Sequence, residues 1–142
     1  MASVWPRLPD GPSGISAVSS SLPPSATATL CADSNVVCLN KSRFAVRVDW
    51  KTSDKSGTGA PIKYTADSGL FWFFGPENIE VLLKVLDACA LNNRFWIFSA
   101  ATTDVEYTIT VTDTLTGRTK TYFHKGGSAA PAITDTDGMS CS

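Results

Sequence analysis

Residues 43–51 read Arg43-Phe44-Ala45-Val46-Arg47-Val48-Asp49-Trp50-Lys51, and the pattern within them indicates the fold class. The large apolar side chains fall on every second position, and the charged side chains fall on the opposite set of positions. Because successive side chains of a β-strand point to opposite sides of its sheet, this segment is predicted to be a strand with one buried face.

The same alternation recurs at residues 105–112, which are followed by turn residues at 113–117 and by a third alternating segment at 118–123. Two such segments joined by a short turn are typical of a β-hairpin. Four more short apolar segments, separated by Gly, Pro or Asn, lie at residues 62–66, 70–74, 79–86 and 95–100. The sequence therefore predicts an all-β domain, an antiparallel, immunoglobulin-like β-sandwich of about seven strands.

The apolar residues of segment 79–86 fit both a strand and a helix. With Pro76 and Glu77 at its start, the segment could form a single short helix over about 77–90. As a strand, it would place Ile79, Val81 and Leu83 on one face. We favour the strand, because the neighbouring segments are all strand-like.

Length and charge limit the classes of protein to which the chain can belong. Its 142 residues suffice for one domain, and 43% of them are hydrophobic, which is enough for a core. A formal net charge of −1 argues against a nucleic-acid partner. No apolar run approaches the roughly 20 residues that cross a bilayer, so no membrane span is predicted.

Residues 1–30 differ from the rest, because they are rich in Pro and Ser and carry only two charged residues, Arg7 and Asp10. Such a segment buries too little surface to offset the entropy of ordering it. Residues 1–30 are therefore predicted to be a linker or tail, on which Trp5 could dock against the domain. Residues 31–142 are predicted to form the β-sandwich domain.

Several motifs of residues 31–142 resemble one family. They are Arg43-Phe44-x-Val46-x-Val48-x-Trp50, Ser68-Gly69-x-Phe71-Trp72-Phe73-Phe74, Asn78-Ile79-Glu80-Val81-x-x-Lys84-Val85-Leu86-Asp87-x-Cys89, Phe95-Trp96-x-Phe98 and Thr110-Val111-Thr112-Asp113. The pattern is similar to a C-terminal β-module of secreted bacterial proteins for which no activity is established. Ala88 departs from the family, which usually has Gly there. The resemblance implies an exported β-domain and carries over no catalytic residue.

The cysteines predict disulfide bonds rather than a metal site. There are four of them, Cys31, Cys38, Cys89 and Cys141, and none forms a Cys-x-x-Cys pair, which argues against zinc. An even number in a small β-domain that resembles exported proteins predicts two disulfides and a secreted, extracellular location. We favour the pairing Cys38–Cys89 with Cys31–Cys141, and the alternative is Cys31–Cys38 with Cys89–Cys141.

The aromatic content of two predicted strands is the most informative functional feature. Residues 71–74 and 95–98 are apolar on both faces, whereas a sandwich strand normally buries one face. The second face is either covered by another part of the chain or exposed as a contact surface. We predict a non-catalytic binding surface for a protein or polysaccharide partner, formed by Trp72, Phe74, Arg94 and Trp96.

Catalysis is ranked below binding, because no motif of an established catalytic site is present. A small extracellular hydrolase would have to use the single histidine, His124, with Asp104 and Asp113, or an acidic pair. A protein inhibitor of extracellular proteases could present a loop at residues 51–61 or 125–132.

Asp135-Thr136-Asp137-Gly138 begins like a calcium-binding loop but lacks the distal Glu that completes one. Asp135 and Asp137 are therefore a calcium candidate, and a polar turn is favoured over it. No other cofactor is predicted.

Overall fold

The computed structural model describes residues 15–22 and 29–142. These residues form two antiparallel β-sheets that do not close into a barrel, which confirms the predicted all-β, sandwich-like fold. In chain order the strands are β1 (Ser16–Ser21), β2 (Val37–Leu39), β3 (Phe44–Lys51), β4 (Ser56–Thr58), β5 (Ala60–Thr65), β6 (Ser68–Trp72), β7 (Ile79–Ala88), β8 (Arg94–Ala101), β9 (Glu106–Asp113), β10 (Arg118–His124) and β11 (Ile133–Ser140).

The two sheets share the strands almost equally. Sheet A has the order β1-β10-β9-β3-β2, and β4 pairs with the end of β3. Sheet B has the order β11-β8-β7-β6-β5. The chain crosses from one sheet to the other after β4, β8 and β10.

Alternating side chains of the central strands build the core between the sheets. Phe44, Val46 and Val48 of β3 are fully buried, as their spacing predicts. From sheet B, Leu83 and Ile97 are fully buried in the same core. Burial of each such side chain stabilises the fold by about 1.5–3 kcal/mol.

Segment 79–86, whose sequence fits both a strand and a helix, is a strand. β7 runs over Ile79–Ala88 and pairs with β6 on one side and β8 on the other. The helix that follows, α1 (Cys89–Asn92), is a single turn and ends at Asn93 with φ of 61°. The segment forms a strand and not a helix because β6 and β8 pair with its two edges. Its backbone N–H and C=O groups are therefore hydrogen-bonded to neighbouring strands.

Four strands lie outside the predicted set of about seven. β2, β4 and β11 are short or polar, and β1 lies within the segment predicted as a linker or tail. Residues 16–21 pair with β10 instead of standing apart from the domain. Trp5 lies outside the described residues.

The favoured disulfide pairing is wrong, and the structure contains the alternative. Cys31 is bonded to Cys38, and Cys89 is bonded to Cys141, with Cα–Cα distances of 5.7 and 6.0 Å. Val37 and Leu39 of β2 are buried, so Cys38 between them points away from the core. Cys38 therefore cannot reach Cys89, which follows β7 in the opposite sheet.

Candidate functional site

The strands of sheet B bury their inner side chains and leave apolar outer side chains half-buried. In β7 and β8, Leu83 and Ile97 are fully buried, whereas Leu82 and Phe98 are only partly covered. Because the sides of a strand alternate, the partly covered residues share the outer face. We call this set the apolar face, and its members are Ile62, Leu70, Trp72, Leu82, Leu86, Trp96 and Phe98.

The strand register joins these side chains into one surface. Leu70 lies opposite Leu82 on one neighbouring strand and opposite Ile62 on the other, and Leu86 lies opposite Trp96. With strands about 4.8 Å apart, four strands span roughly 14 Å between their outermost axes. At about 3.3 Å per residue, the surface is roughly 23 Å long between Ile79 and Leu86 of β7.

Lys84 is a charged side chain that lies among these apolar residues. In the register it stands between Phe98 and Ser68. Its ammonium nitrogen is 6.0 Å from the centroid of the Phe98 ring, a favourable cation–π distance. Among the described residues Lys84 makes no ion pair.

The aromatic end of the apolar face is held in place by polar neighbours. The Trp96 and Phe98 rings are stacked with centroids 5.9 Å apart, and Trp96 Nε1 donates a hydrogen bond to Asn92 Oδ1 at 2.9 Å. Arg94 Nε, two residues before Trp96, donates to Asp137 Oδ1 at 2.7 Å. Turn α1 thus orients the indole, since Asn92 is its last residue.

The four residues predicted to bind a ligand do not form one compact site. Trp72 lies opposite Ile79 of β7 and Trp96 lies opposite Leu86, so the two indoles are about 23 Å apart along the strand. Arg94 and Trp96 are two residues apart on β8. Phe74 is 49% exposed and stands apart at the end of the sandwich, where its ring is 4.8 Å from that of Trp50.

Other members of the apolar face were not singled out from the sequence. They are Ile62, Leu70, Leu82, Leu86 and Phe98, together with Lys84 between them. The signal for Leu82 and Leu86 was the nearly continuous apolar run of 79–86, and the signal for Phe98 was the run of 95–98; both runs are typical of a strand with two apolar faces. The register between strands decides which of these side chains become cross-strand neighbours, and the sequence of one strand does not contain the register.

The outer face of sheet A has the opposite character. Thr108 and Thr110 of β9 lie opposite Asp49 and Arg47 of β3, while Val18 of β1 and Phe123 of β10 are exposed apolar side chains on the same face. Arg47 Nε donates to Asp49, and its Nη2 donates to Thr58 Oγ1 at 3.1 Å. Polar outer faces of this kind are the ordinary state of a sandwich.

The predicted catalytic residues are not brought together. His124 is fully buried, and its Nε2 donates to the Ser128 carbonyl oxygen at 2.9 Å, while its Nδ1 has no partner in the described part of the chain. His124 pairs with Tyr107 in the register, and Asp113 lies six residues further along β9, about 20 Å away. Asp104 is exposed in the loop before β9.

Asp113 has a structural partner. Arg43 Nε and Nη2 each donate to its carboxylate at 2.9 Å. Burial tends to raise the pKa of Asp113, but hydrogen bonds from Arg43 and from the Leu115 N–H lower this pKa below its ordinary value. The guanidinium also lies 5.2 Å from the Phe95 ring centroid. This arrangement ties sheet A to sheet B.

The calcium candidates accept hydrogen bonds from Lys120, Arg94 and the Tyr122 hydroxyl. Asp135 Oδ2 accepts from Lys120 Nζ at 2.9 Å and from the Tyr122 hydroxyl at 2.5 Å, and Asp137 accepts from Arg94. Within residues 15–22 and 29–142, no group of three His, Cys, Asp or Glu side chains is placed to hold a metal.

The loops predicted for a protease inhibitor border one open depression of about 560 Å³, which includes Lys51 and Lys125. The loop at 125–132 is anchored, because Gly127 N–H donates to the Asp104 carbonyl and Ala130 N–H donates to the Thr103 carbonyl. The inhibitor function stays a prediction.

No protein-family model, curated protein sequence or solved structure matches the chain at a significant level. In the described part of the chain, no helix is both long and apolar enough to cross a membrane. The fold and this surface define a disulfide-linked, all-β sandwich with one apolar outer face.

Proposed function

We propose that this chain is an exported, non-catalytic interaction module that binds a protein partner through the apolar face of sheet B. The contrast between the two outer faces carries this proposal. The outer face of sheet A is mainly polar, with Val18 and Phe123 as its exposed large apolar side chains, whereas sheet B carries seven large apolar side chains on four adjacent strands. Large contiguous apolar patches are rare on monomers and mark contact surfaces.

Hydrogen bonding favours a protein partner over a polysaccharide. A sugar ring that stacks on aromatic side chains also buries hydroxyl groups, which need hydrogen-bond partners. Lys84 and Ser68 are the polar side chains between the apolar residues, and Ser68 already bonds to Thr65. Leucines dominate the middle of the face, and they match apolar protein side chains better than they match hydroxyl groups.

Lys84 defines the charge of the partner. Covering the apolar face would remove Lys84 from water, and an ammonium group that loses water without a counter-charge is strongly unfavourable. We therefore expect the partner to be an apolar protein surface that carries a carboxylate opposite Lys84. Such a pair contributes specificity more than affinity.

Export is part of the same proposal. Two disulfide bonds in a small domain are typical of oxidising environments outside the cytosol. The resemblance of residues 31–142 to a module of secreted bacterial proteins supports the same location.

Site-specific photo-crosslinking tests the proposed surface. A photoreactive phenylalanine analogue is placed at position 82 of the apolar face or, as a matched control, at position 110 on the outer face of sheet A. Both variants are exposed to the secreted and surface proteins of the organism that encodes the chain. We expect one discrete protein adduct from position 82, no such adduct from position 110, and loss of the adduct in the Lys84→Glu variant.

Two outcomes would overturn the proposal. One is the absence of a protein adduct at position 82, and the other is the same adduct from both positions. Binding to insoluble cellulose or chitin that is lost in Trp96→Ala, with no protein adduct, would replace the protein partner by a polysaccharide.

A further inference from the structure

A cleft of about 410 Å³ lies on the open side of the sandwich, where β1 and β10 of sheet A approach β11 of sheet B. This volume is within the range of small-molecule sites. The lining residues are Ser19, Ser20, Ser21, Arg94, Arg118, Thr119, Lys120, Asp137, Gly138, Met139 and Ser140. The cleft is separate from the centre of the apolar face, and its role does not depend on the function proposed above.

The inner positions of β10 become polar and charged towards this cleft. Tyr122 is buried in the core, and Lys120 and Arg118 follow at the next two positions on the same side of the strand. On β1, Ser19 lies opposite Lys120 and Ser21 lies opposite Arg118. The space between the sheets is therefore closed here mainly by cations and hydroxyl groups, with Met139 of the core beside them.

Most of the charges in the cleft are already paired. Lys120, whose side chain is 14% exposed, binds Asp135 at 2.9 Å and also donates to the Asp137 carbonyl oxygen at 3.1 Å. Arg94 binds the exposed carboxylate of Asp137. Arg118 is exposed and makes no ion pair with any described residue. Three cations face two carboxylates, and the excess positive charge is that of Arg118.

We propose that this cleft binds a small molecule with an oxyanion group, such as a carboxylate, phosphate or sulfate, through Arg118 and the hydroxyl groups of β1. A guanidinium presents two parallel N–H donors that match the paired oxygens of an oxyanion. Ser19 and Ser21 supply hydroxyl donors beside it. Because the Asp137 carboxylate is exposed, Arg94 can release Asp137 and bind the oxyanion of the ligand instead.

NMR titration of the full chain tests this site. Inorganic phosphate, sulfate and glucuronate are added separately, with chloride at matched ionic strength as the reference. We expect saturable shifts of the amides of residues 19–21, 118–120 and 137–140 with at least one oxyanion and not with chloride. The oxyanion that binds most tightly identifies the preferred group.

Two variants separate a specific site from general attraction to positive charge. Arg118→Gln is expected to weaken binding at least about tenfold, because it removes the unpaired guanidinium. Lys125→Gln removes an exposed cation at the other end of β10 and is expected to leave the affinity unchanged. Absence of saturable shifts, shifts outside the cleft, or equal weakening in both variants would refute the site.

Discussion

Arg43 and Asp113 form an ion pair whose carboxylate is almost completely enclosed. Their side chains are 19% and 2% exposed, and two parallel hydrogen bonds join them. Arg47 and Asp49 form a second pair on the same strand, but both side chains are about two-fifths exposed. Because of this difference in burial, we expect the Arg43–Asp113 pair to contribute more to stability than the exposed Arg47–Asp49 pair.

Asp113→Asn is expected to destabilise the protein by about 3 kcal/mol, because a poorly hydrated guanidinium loses its counter-charge. Asp49→Asn serves as the control and is expected to change the free energy of unfolding by less than about 1 kcal/mol. Urea denaturation measures both. Equal losses in the two variants would show that enclosure does not determine the strength of these pairs.

Acid is expected to destabilise the fold through Asp113 and Asp135. Hydrogen bonds from Arg43, and from Tyr122 and Lys120, outweigh burial and hold the pKa of both carboxyl groups below the ordinary value of 3.8. A carboxyl group with a lowered pKa in the folded state contributes stability above its unfolded pKa, and this stability is lost as pH falls through the folded pKa. Unfolding free energies measured from pH 6 downwards should therefore decline below about pH 4, and Asp113→Asn should decline less steeply.

Segments 79–86 and 133–140 show that an element depends on its neighbours as much as on its own residues. β7 has an apolar run that suits either structure, and it is a strand because β6 and β8 pair with its two edges. β11 has little apolar content, and it is a strand because β8 provides its partner. Long-range pairing overrides local preference in both cases.

The two disulfides join elements at different separations along the chain. Cys31 and Cys38 are 7 residues apart, whereas Cys89 and Cys141 are 52 residues apart and join α1 to the segment after β11. In the chain-entropy description, the longer loop loses more freedom in the unfolded state when it is closed. The Cys89–Cys141 bond is therefore the more stabilising of the two.

The double variant Cys89→Ser/Cys141→Ser is expected to lose about 4 kcal/mol of stability, and Cys31→Ser/Cys38→Ser about 2.5 kcal/mol. Guanidinium denaturation of both variants measures the difference. A larger loss from the short loop would contradict the prediction and would mean that native contacts around Cys31, and not loop length, dominate.

The whole molecule is a sandwich with unequal outer faces. Sheet A presents mainly threonines and paired charges to water, with Val18 and Phe123 exposed near its edge, and sheet B presents leucines, tryptophans and Phe98 around Lys84. Because the outer apolar side chains of sheet B are only partly covered, removing one of them should cost less stability than removing a core side chain. Their removal should therefore separate binding from folding.

Leu82→Gln is expected to reduce the fluorescence of a dye that binds apolar surfaces, such as anilinonaphthalene sulfonate, while it lowers the free energy of unfolding by less than about 2 kcal/mol, below the cost of truncating a core leucine. Thr110→Gln on sheet A is the matched control and should leave dye binding unchanged. If the unmodified chain binds no dye, the apolar face is covered in solution and cannot receive a partner.

Local pattern was sufficient for the predictions that depend on a single segment. The all-β class, the strands at 43–51 and 105–112 and the hairpin that ends at residue 123 follow from period-two alternation, because the side to which each residue points is set by its own strand. The presence of two disulfides followed from the number of cysteines and the size of the domain.

The tertiary structure decided everything that depends on which strands become neighbours. Cys38 faces away from Cys89, His124 lies inside the core far from Asp113, and Trp72 and Trp96 lie at opposite ends of one surface. The apolar face itself arises only when the register aligns β5 to β8. Register and sheet order are set by contacts between residues far apart in the chain, and no alternation within one segment contains that information.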